Sequence, residues 1–249
     1  MIRWLTHLGI FTLLTILTQL GGLAWILSRA TQRPLIAFLI LYATFSAAAY
    51  WSAPAITNRV PIPCFGTQAL RSQSVLYCAL NRHYVNPELF RAAQKAADDV
   101  ATRFPGTQTR SLDAGFPFLT GFPLLPHLSH DDGEKLDLAL YWRSEDGYQP
   151  GKSRFPMGYW GYADGSTNCP ARWTDLRWDL PWLNSILPAM RPDVPRLTHL
   201  LSSLRNDPVI GKILLEPHLQ AATALNSEKI RFQGCRAARH DDHIHIQLR

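Results

Sequence analysis

Five of the nine histidines in this chain of 249 residues fall in two short runs, at 127–130 and 240–245. The second run reads His-Asp-Asp-His-Ile-His and continues as an alternation of polar and apolar residues. In a β-strand, residues two apart share a face, so His243 and His245 would point one way and Ile244 the other. Two imidazoles fixed on one strand are a suitable start for a metal site.

The first run lies beside another alternating segment. His130 precedes a turn that contains Gly133 and leads into 135–142, where leucines at every second position alternate with Asp137 on the other face. If this segment pairs with the terminal one, His130, Asp137 and one histidine of the terminal segment can converge. Two imidazoles and one carboxylate leave the fourth position of a tetrahedral zinc site open, which is typical of catalytic zinc.

A simpler interpretation is that these histidines are ordinary surface residues, which is the usual origin of an isolated His-x-His. The proximity of both runs to alternating segments favours the metal site instead. The helical zinc motif His-Glu-x-x-His is absent from the sequence. A metal site in this chain would therefore have to be assembled from separate strands.

The remaining pattern predicts an α+β domain around a small antiparallel sheet. Asn86-Pro87-Glu88 is a helix-start signal, and apolar residues follow at helical spacing as far as Phe104. Residues 144–180 are rich in Gly, Pro, Trp and Tyr and have little periodicity, which is typical of a functional irregular segment. The other predicted elements are strands at 107–112, 135–142, 209–215 and 243–248, two or three helices within 181–205, and a short helix at 218–225.

Residues 1–56 differ from the rest, because they contain three arginines and no acidic residue. Trp4–Ser28 and Pro34–Asn58 carry no charged side chain, and each exceeds the roughly 20 apolar residues that cross a bilayer core. We therefore predict a two-helix transmembrane hairpin, with helices at about 4–28 and 34–56, followed by a domain at 57–249. The arginines of the connecting loop favour a cytoplasmic loop and an exported domain. A cleaved signal peptide is the alternative for the first stretch.

Charge and cysteine usage agree with export. The formal net charge of the chain is +6. After residue 56 the sequence contains 22 of the 25 Lys and Arg residues and all 19 Asp and Glu residues, and the basic residues form no stripe. Nucleic acid is therefore not an expected partner. An even number of cysteines in an exported domain favours disulfides over zinc ligation. Three pairings are possible, and we expect Cys64–Cys78 with Cys169–Cys235, because the first two are close in sequence.

The two histidine runs together resemble a known family. Ser-His-x-x-Gly-x-x-x-Asp followed by a late His-x-His is similar to the pattern of the LAS metallopeptidases, which include lysostaphin-type enzymes and D-alanyl-D-alanine metallopeptidases. The fuller pattern, from His127 to Asp137 and from His240 to His245, is closest to that of the penicillin-insensitive murein endopeptidases. The resemblance is confined to motifs near the two ends of residues 107–249. The charged residues between His130 and Asp137 depart from the family's pattern.

The resemblance implies a Zn²⁺ ion bound by His130, Asp137 and His245. It also implies that His243 is the catalytic base or transition-state stabiliser, and that His240 and His127 line the site, with His240 close enough to take part in catalysis.

Two further acidic residues are candidates for support of the site. Asp242 is expected to orient an imidazole as an outer-shell partner. Asp113 could support His127 or a substrate amine, although a turn-capping role is the alternative.

The activity implied by the resemblance is zinc-dependent hydrolysis of an amide bond in peptidoglycan stem peptides or crosslinks, in the periplasm and next to the bacterial inner membrane. One alternative is a carboxypeptidase or dipeptidase that removes D-Ala, with Arg110 or Arg154 binding the substrate carboxylate. Another is a catalytically silent, membrane-anchored zinc-binding sensor. Aromatic residues of the irregular segment either line a glycopeptide groove or pack in the core: Tyr159, Trp160, Tyr162, Trp173 and Trp178.

Overall fold

The computed structural model describes residues 2–163, 165, 169, 170 and 181–249, so that Trp173 and Trp178 lie outside the described residues. The described residues form an α+β structure, as predicted. Its helices are α1 (Ile2–Thr18), α2 (Gly21–Ser28), α3 (Pro34–Thr57), α4 (Val75–Ala79), α5 (Pro87–Arg103), α6 (Pro181–Asn184), α7 (Val194–Asn206) and α8 (Pro217–Thr223). Its strands are β1 (Val60–Pro61), β2 (Leu70–Ser72), β3 (Tyr84–Val85), β4 (Thr109–Ser111), β5 (Lys135–Ala139), β6 (Trp142–Ser144), β7 (Gly147–Tyr148), β8 (Arg191–Pro192), β9 (Ile210–Leu214), β10 (Ile230–Arg231) and β11 (His243–Leu248).

The main sheet has six strands in the order β10-β9-β11-β5-β4-β2. Strand β11 pairs antiparallel with both β5 and β9, whereas β10–β9 and β2–β4 are parallel pairs. The predicted antiparallel pairing is confirmed at the centre of the sheet, but the sheet is larger than predicted and mixed, with a parallel pair at each edge. Parallel neighbours need a crossover connection, and here α5 lies within the β2–β4 connection and α8 within the β9–β10 connection.

One face of the sheet forms the hydrophobic core with α5 and α7. Ile244 and Ile246 of β11 are fully buried in the same cluster as the leucines of β5 and of α7. Burial of one such side chain is worth about 1.5–3 kcal/mol. Since alternate residues of a strand face opposite ways, this burial turns Asp137, His243 and His245 to the other face.

Helix α5 begins where the sequence predicts, because its first turn is satisfied locally. The Asn86 side chain accepts a hydrogen bond from the Glu88 amide at 2.8 Å, and Pro87 occupies the first helical position. The helix buries Leu89, Val100 and the alanines between them against the sheet. The observed helix matches the predicted one to within a residue or two.

The N-terminal segment folds as three helices, so the predicted transmembrane hairpin is wrong. The first apolar stretch breaks at Gln19, whose φ of 65° is left-handed, and the chain reverses so that α2 packs on α1. The reversal requires glycine at Gly22, where a Cβ atom would collide with the Thr15 side chain. Among the described residues, α3 alone is long and apolar enough to cross a membrane.

Two disulfides connect segments that lie outside the main sheet. Cys64 is bonded to Cys78 and Cys169 to Cys235, which is the expected pairing. The second bond connects the irregular segment to the residues that precede β11. Together with the apolar helix α3, the disulfides indicate an extracytoplasmic location.

Candidate metal centre

Strand pairing at the centre of the sheet brings two distant parts of the sequence together. Strands β5 and β11 are antiparallel, and their register places His245 opposite Asp137 and His243 opposite Ala139. Residues directly opposite each other in such a pair have Cβ atoms about 5 Å apart. The register therefore brings an imidazole and a carboxylate 108 residues apart into contact on the non-core face.

The chain before β5 supplies a third polar side chain. His130 donates from Nδ1 to the Ala114 carbonyl at 2.9 Å, and this bond fixes its ring with Nε2 towards Asp137. The turn that follows contains Gly133, with a φ of 81°, and a Cβ atom there would press against the Arg59 side chain. The glycine thus allows the chain to turn sharply between His130 and β5.

Three ligand atoms converge at this point. His245 Nδ1 lies 2.9 Å from Asp137 Oδ1, and His130 Nε2 lies 3.3 Å from the same oxygen and 3.2 Å from His245 Nδ1. Two ligand atoms of a tetrahedral zinc site with bonds of about 2.0–2.1 Å are about 3.3 Å apart. The donor set and its spacing fit a zinc ion, and the Nδ1 bond of His130 is the support that metal-bound histidines usually have.

His127 overlaps this set. His127, His130 and Asp137 also form a group able to hold a metal ion. However, His127 Nδ1 is shared between Asp113 Oδ2 at 3.0 Å and Asp137 Oδ2 at 3.3 Å. The set of His130, Asp137 and His245 is more compact, and it leaves His127, the most exposed of the four at 16% of its side chain, on the accessible side.

Asp113 lies behind His127 in a buried ion pair. Its carboxylate accepts two hydrogen bonds from Arg82, at 2.6 and 2.8 Å. Burial opposes ionisation, but His127 and Arg82 lower the pKa of Asp113 to about 2. Asp113 therefore contacts side chains and does not cap a turn. No signal in the sequence identifies Arg82, because no pattern of residues connects it to Asp113.

Tyr159 joins the two aspartates. Its hydroxyl donates to Asp137 Oδ2 at 2.8 Å and accepts from the Asp113 amide at 3.1 Å. The ring packs with Tyr77, Leu112 and Ala139 in a small buried cluster. Tyr159 therefore packs in the interior, and its hydroxyl also holds one oxygen of Asp137.

A second pair of histidines lies on the β11 side. His243 Nδ1 contacts Asp242 Oδ1 at 2.5 Å, and its Nε2 is 3.7 Å from Asp137 Oδ2. The ring of His240 is 4.6 Å from that of His243 between centroids. Asp242 also accepts from the Trp160 amide at 2.5 Å, so its carboxylate is fixed from two sides. His243 is thereby oriented with Nε2 towards the three converging ligand atoms.

The electrostatics of the cluster are dominated by Asp137. Burial alone would raise the pKa of Asp137, but His130 and His243 lower it well below its ordinary value. Burial also works against the charged form of His243, yet Asp137 and Asp242 raise the pKa of His243 to about 9. Burial lowers the pKa of His245 to about 4 and that of His240 well below its usual range, so these rings are neutral. A neutral imidazole is the form that binds a metal.

The other candidate residues have structural partners. Arg110 donates to the Ser72 carbonyl and to Gln108, and Arg154 donates to the carbonyls of Tyr162 and Pro188. These bonds give no support to a carboxylate-binding role for either arginine. Cys64, Cys78 and His83 also lie close together. Their sulfurs form a disulfide and therefore offer no thiolate to a metal.

Comparison with known proteins assigns the chain to no family. No family model matches it, and no curated protein matches it either. The function must therefore be argued from the geometry of the site.

Proposed function

We propose that this protein is a zinc-dependent peptidase that hydrolyses an amide bond in peptidoglycan peptides, in the manner of the murein endopeptidases, at the outer side of a bacterial inner membrane. The observation that carries the proposal is the convergence of His130 Nε2, Asp137 Oδ1 and His245 Nδ1, with 2.9–3.3 Å between them. The substrate class and the periplasmic location follow from the resemblance to the LAS metallopeptidases.

Zinc bound by His130, Asp137 and His245 would polarise the scissile carbonyl and acidify a water molecule. The protein residues then have separate tasks. Asp242 holds the Nδ1 proton of His243, so that proton exchange with the substrate takes place at His243 Nε2. Tyr159 fixes the second oxygen of Asp137, and Asp113 holds Nδ1 of His127.

His243 suits the later part of the reaction best. Asp137 and Asp242 raise its pKa and so favour the imidazolium, which can donate to the developing oxyanion or to the leaving amine. A cation shared by Asp137 would therefore bring the pKa of His243 back towards neutrality, where the ring can also accept a proton.

The test uses the full chain with crosslinked muropeptide dimers, with and without a chelator. We expect chelator-sensitive conversion of dimers to monomers. His130→Ala should lose both metal and activity, whereas His243→Ala should keep the metal and lose at least about 100-fold in turnover. His199→Ala, a histidine that packs on Phe104 outside the site, is the matched control.

Each part of the proposal can fail separately. Loss of terminal D-Ala alone would replace the endopeptidase with a trimming enzyme. Bound zinc without any product would contradict hydrolysis, and equal zinc loss in His130→Ala and His243→Ala would contradict the assigned roles.

A further inference from the structure

Residues 117–129, here called the apolar loop, expose an unusual amount of hydrophobic surface. Leu119, Leu125 and Leu128 are 57%, 45% and 55% exposed. Leu125 and Leu128 flank His127, the accessible histidine of the site, in the sequence. Apolar side chains concentrated at one exposed position mark an interaction surface more often than chance.

The apolar loop is attached to the N-terminal helices. Thr57, the last residue of α3, donates to the Pro117 carbonyl at 2.6 Å, and the Phe118 amide donates to Gln19 at the α1–α2 reversal at 2.9 Å. The Phe118 ring packs against a buried cluster formed by Ala49 and Ala53 of α3 with Tyr84. The start of the apolar loop is therefore fixed against the apolar N-terminal helices.

Arg59 fixes this arrangement. Its guanidinium donates to the Phe116 carbonyl at 2.6 Å and to Thr120 at 2.8 Å, at the start of the apolar loop, and to the Asp131 carbonyl at 3.3 Å beyond its end. Because Arg59 directly follows α3, the loop cannot move away from the helix without loss of these bonds.

Helix α3 is bound to the domain along its second half. Tyr42 donates to the Ala79 carbonyl, and Asn81 donates to both Tyr42 and Ser46. The part of α3 that precedes Tyr42 is only about 12 Å long at 1.5 Å per residue, whereas a bilayer core is about 30 Å thick. If the first turns of α3 are inserted in a bilayer, the domain that is bound to the rest of the helix therefore also contacts the bilayer.

The exterior of α3 is suited to lipid. No charged residue occurs from Pro34 to Asn58. Large apolar side chains of the helix are exposed both before and after the first bond to the domain: Leu35, Ile36, Leu39, Ile40, Trp51 and Ile56. A protein partner is not needed to explain a surface that is apolar on a whole helix and on the adjoining loop.

We propose that the apolar loop inserts its leucines into the surface of a lipid bilayer beside α3, so that the domain lies against the membrane and is not suspended from a free anchor. This arrangement places the His127 side of the metal centre next to the lipid headgroups. Substrates presented near the membrane surface would then reach the site directly. The inference does not depend on the peptidase assignment, because it concerns the position of the loop and not the chemistry of the histidines.

The test measures the depth of single labels in the full chain. Because all four native cysteines are in disulfides, Leu125→Cys and Leu128→Cys each introduce one site for an environment-sensitive fluorophore. The labelled proteins are reconstituted into phosphatidylethanolamine–phosphatidylglycerol vesicles that contain a lipid with a nitroxide near the start of its acyl chain. Leu39→Cys in α3 is the positive control, and Glu228→Cys, at the far edge of the main sheet, is the negative control.

We expect the labels at 125 and 128 to lose fluorescence to the nitroxide lipid as the label at 39 does, and the label at 228 to keep it. Three outcomes would overturn the proposal. Unquenched loop labels beside a quenched label at 39 would mean that the domain stands away from the bilayer. A blue shift without quenching would mean that a second copy of the chain covers the loop. An unquenched label at 39 would mean that the helices do not enter lipid at all.

Discussion

Asp113 and Asp137 are both almost fully buried, and their main chains are joined by a hydrogen bond of 2.9 Å from the Asp137 amide to the Asp113 carbonyl. Their side chains share His127, but their other partners differ. Asp113 is held by Arg82, a permanent cation, through two hydrogen bonds. Within the described part of the chain no Lys or Arg pairs with Asp137, whose ion-pair partners are histidines.

The difference separates a structural carboxylate from a binding one. A buried charge is costly unless it is compensated, and Arg82, which stays protonated, compensates Asp113. The charge of Asp137 is met by imidazoles, which are neutral or cationic according to their surroundings. A divalent cation would compensate this carboxylate more completely, which is why we place the metal at Asp137 and not at Asp113.

The largest expected effect is therefore on metal retention by the two isosteric variants. Asp137→Asn removes an anionic ligand and should leave no zinc on the purified full chain. Asp113→Asn alters a partner of His127, which is not an assigned ligand, so zinc binding should weaken by less than the roughly 10–100-fold loss seen for a direct outer-shell partner. Elemental analysis and competition with a chelator measure both. Similar losses in the two variants would mean that the distinction between these carboxylates is incorrect.

The second effect concerns stability. Arg82→Met leaves Asp113 buried without its cation, and we expect the free energy of unfolding to fall by about 3–5 kcal/mol. The double variant Arg82→Met, Asp113→Asn should recover part of this loss, because no uncompensated charge remains. Chemical denaturation in detergent gives the values.

Lys95→Met is the control for Arg82→Met. It removes an exposed ion pair with Asp99 on α5, so the change should stay within about 0.5 kcal/mol. If Arg82→Met has an equally small effect, Asp113 does not need its permanent cation and the comparison fails.

The smallest expected effect concerns the pKa of a buried histidine that is distant from Asp137. Asp137 raises the pKa of His130 despite burial, whereas burial lowers the pKa of His83 from 6.5 to about 4. A histidine whose folded pKa is lowered contributes stability above pH 6.5 that is lost as the pH falls towards 4. The contribution to the free energy of unfolding is about 3 kcal/mol, because each unit of pKa shift corresponds to about 1.4 kcal/mol.

His83→Gln should accordingly flatten the decline of stability between pH 6.5 and 4, whatever its effect at neutral pH. His199→Gln serves as the control. Denaturation curves at several pH values provide the slopes, and an unchanged slope for His83→Gln would show that another group causes the decline.

The parts of the site that could be predicted lie in strands where polar and apolar residues alternate. Alternation in 135–139 and 243–248 identified the two strands, and the shared face of Asp137, His243 and His245 follows from it. The contact of His245 with Asp137 required a register, which is determined by the packing of Ile244 and Ile246 on the core. Arg82 and Tyr159 were not predictable, because their bonds to the aspartates connect segments without any common pattern.

The errors in the fold have similar causes. Strands of two or three residues, such as β2 and β10, carry too little alternation to be recognised, so the parallel pairs at both edges of the sheet were missed. The first apolar stretch contained no charged residue and was predicted as one helix. Gly21 and Gly22 were the available signal for its reversal, since glycine pairs often mark a turn.

The position of β11 between β5 and β9 affects how stable the protein is to degradation outside the cytoplasm. An ion held by Asp137 and His245 would act as a cross-link across the middle of the sheet, between segments 108 residues apart. Ligand binding adds about 2.7 kcal/mol to folding stability at one hundred times the dissociation constant. Loss of such an ion would therefore weaken the fold, and the depleted molecules would become the ones most readily removed by proteolysis.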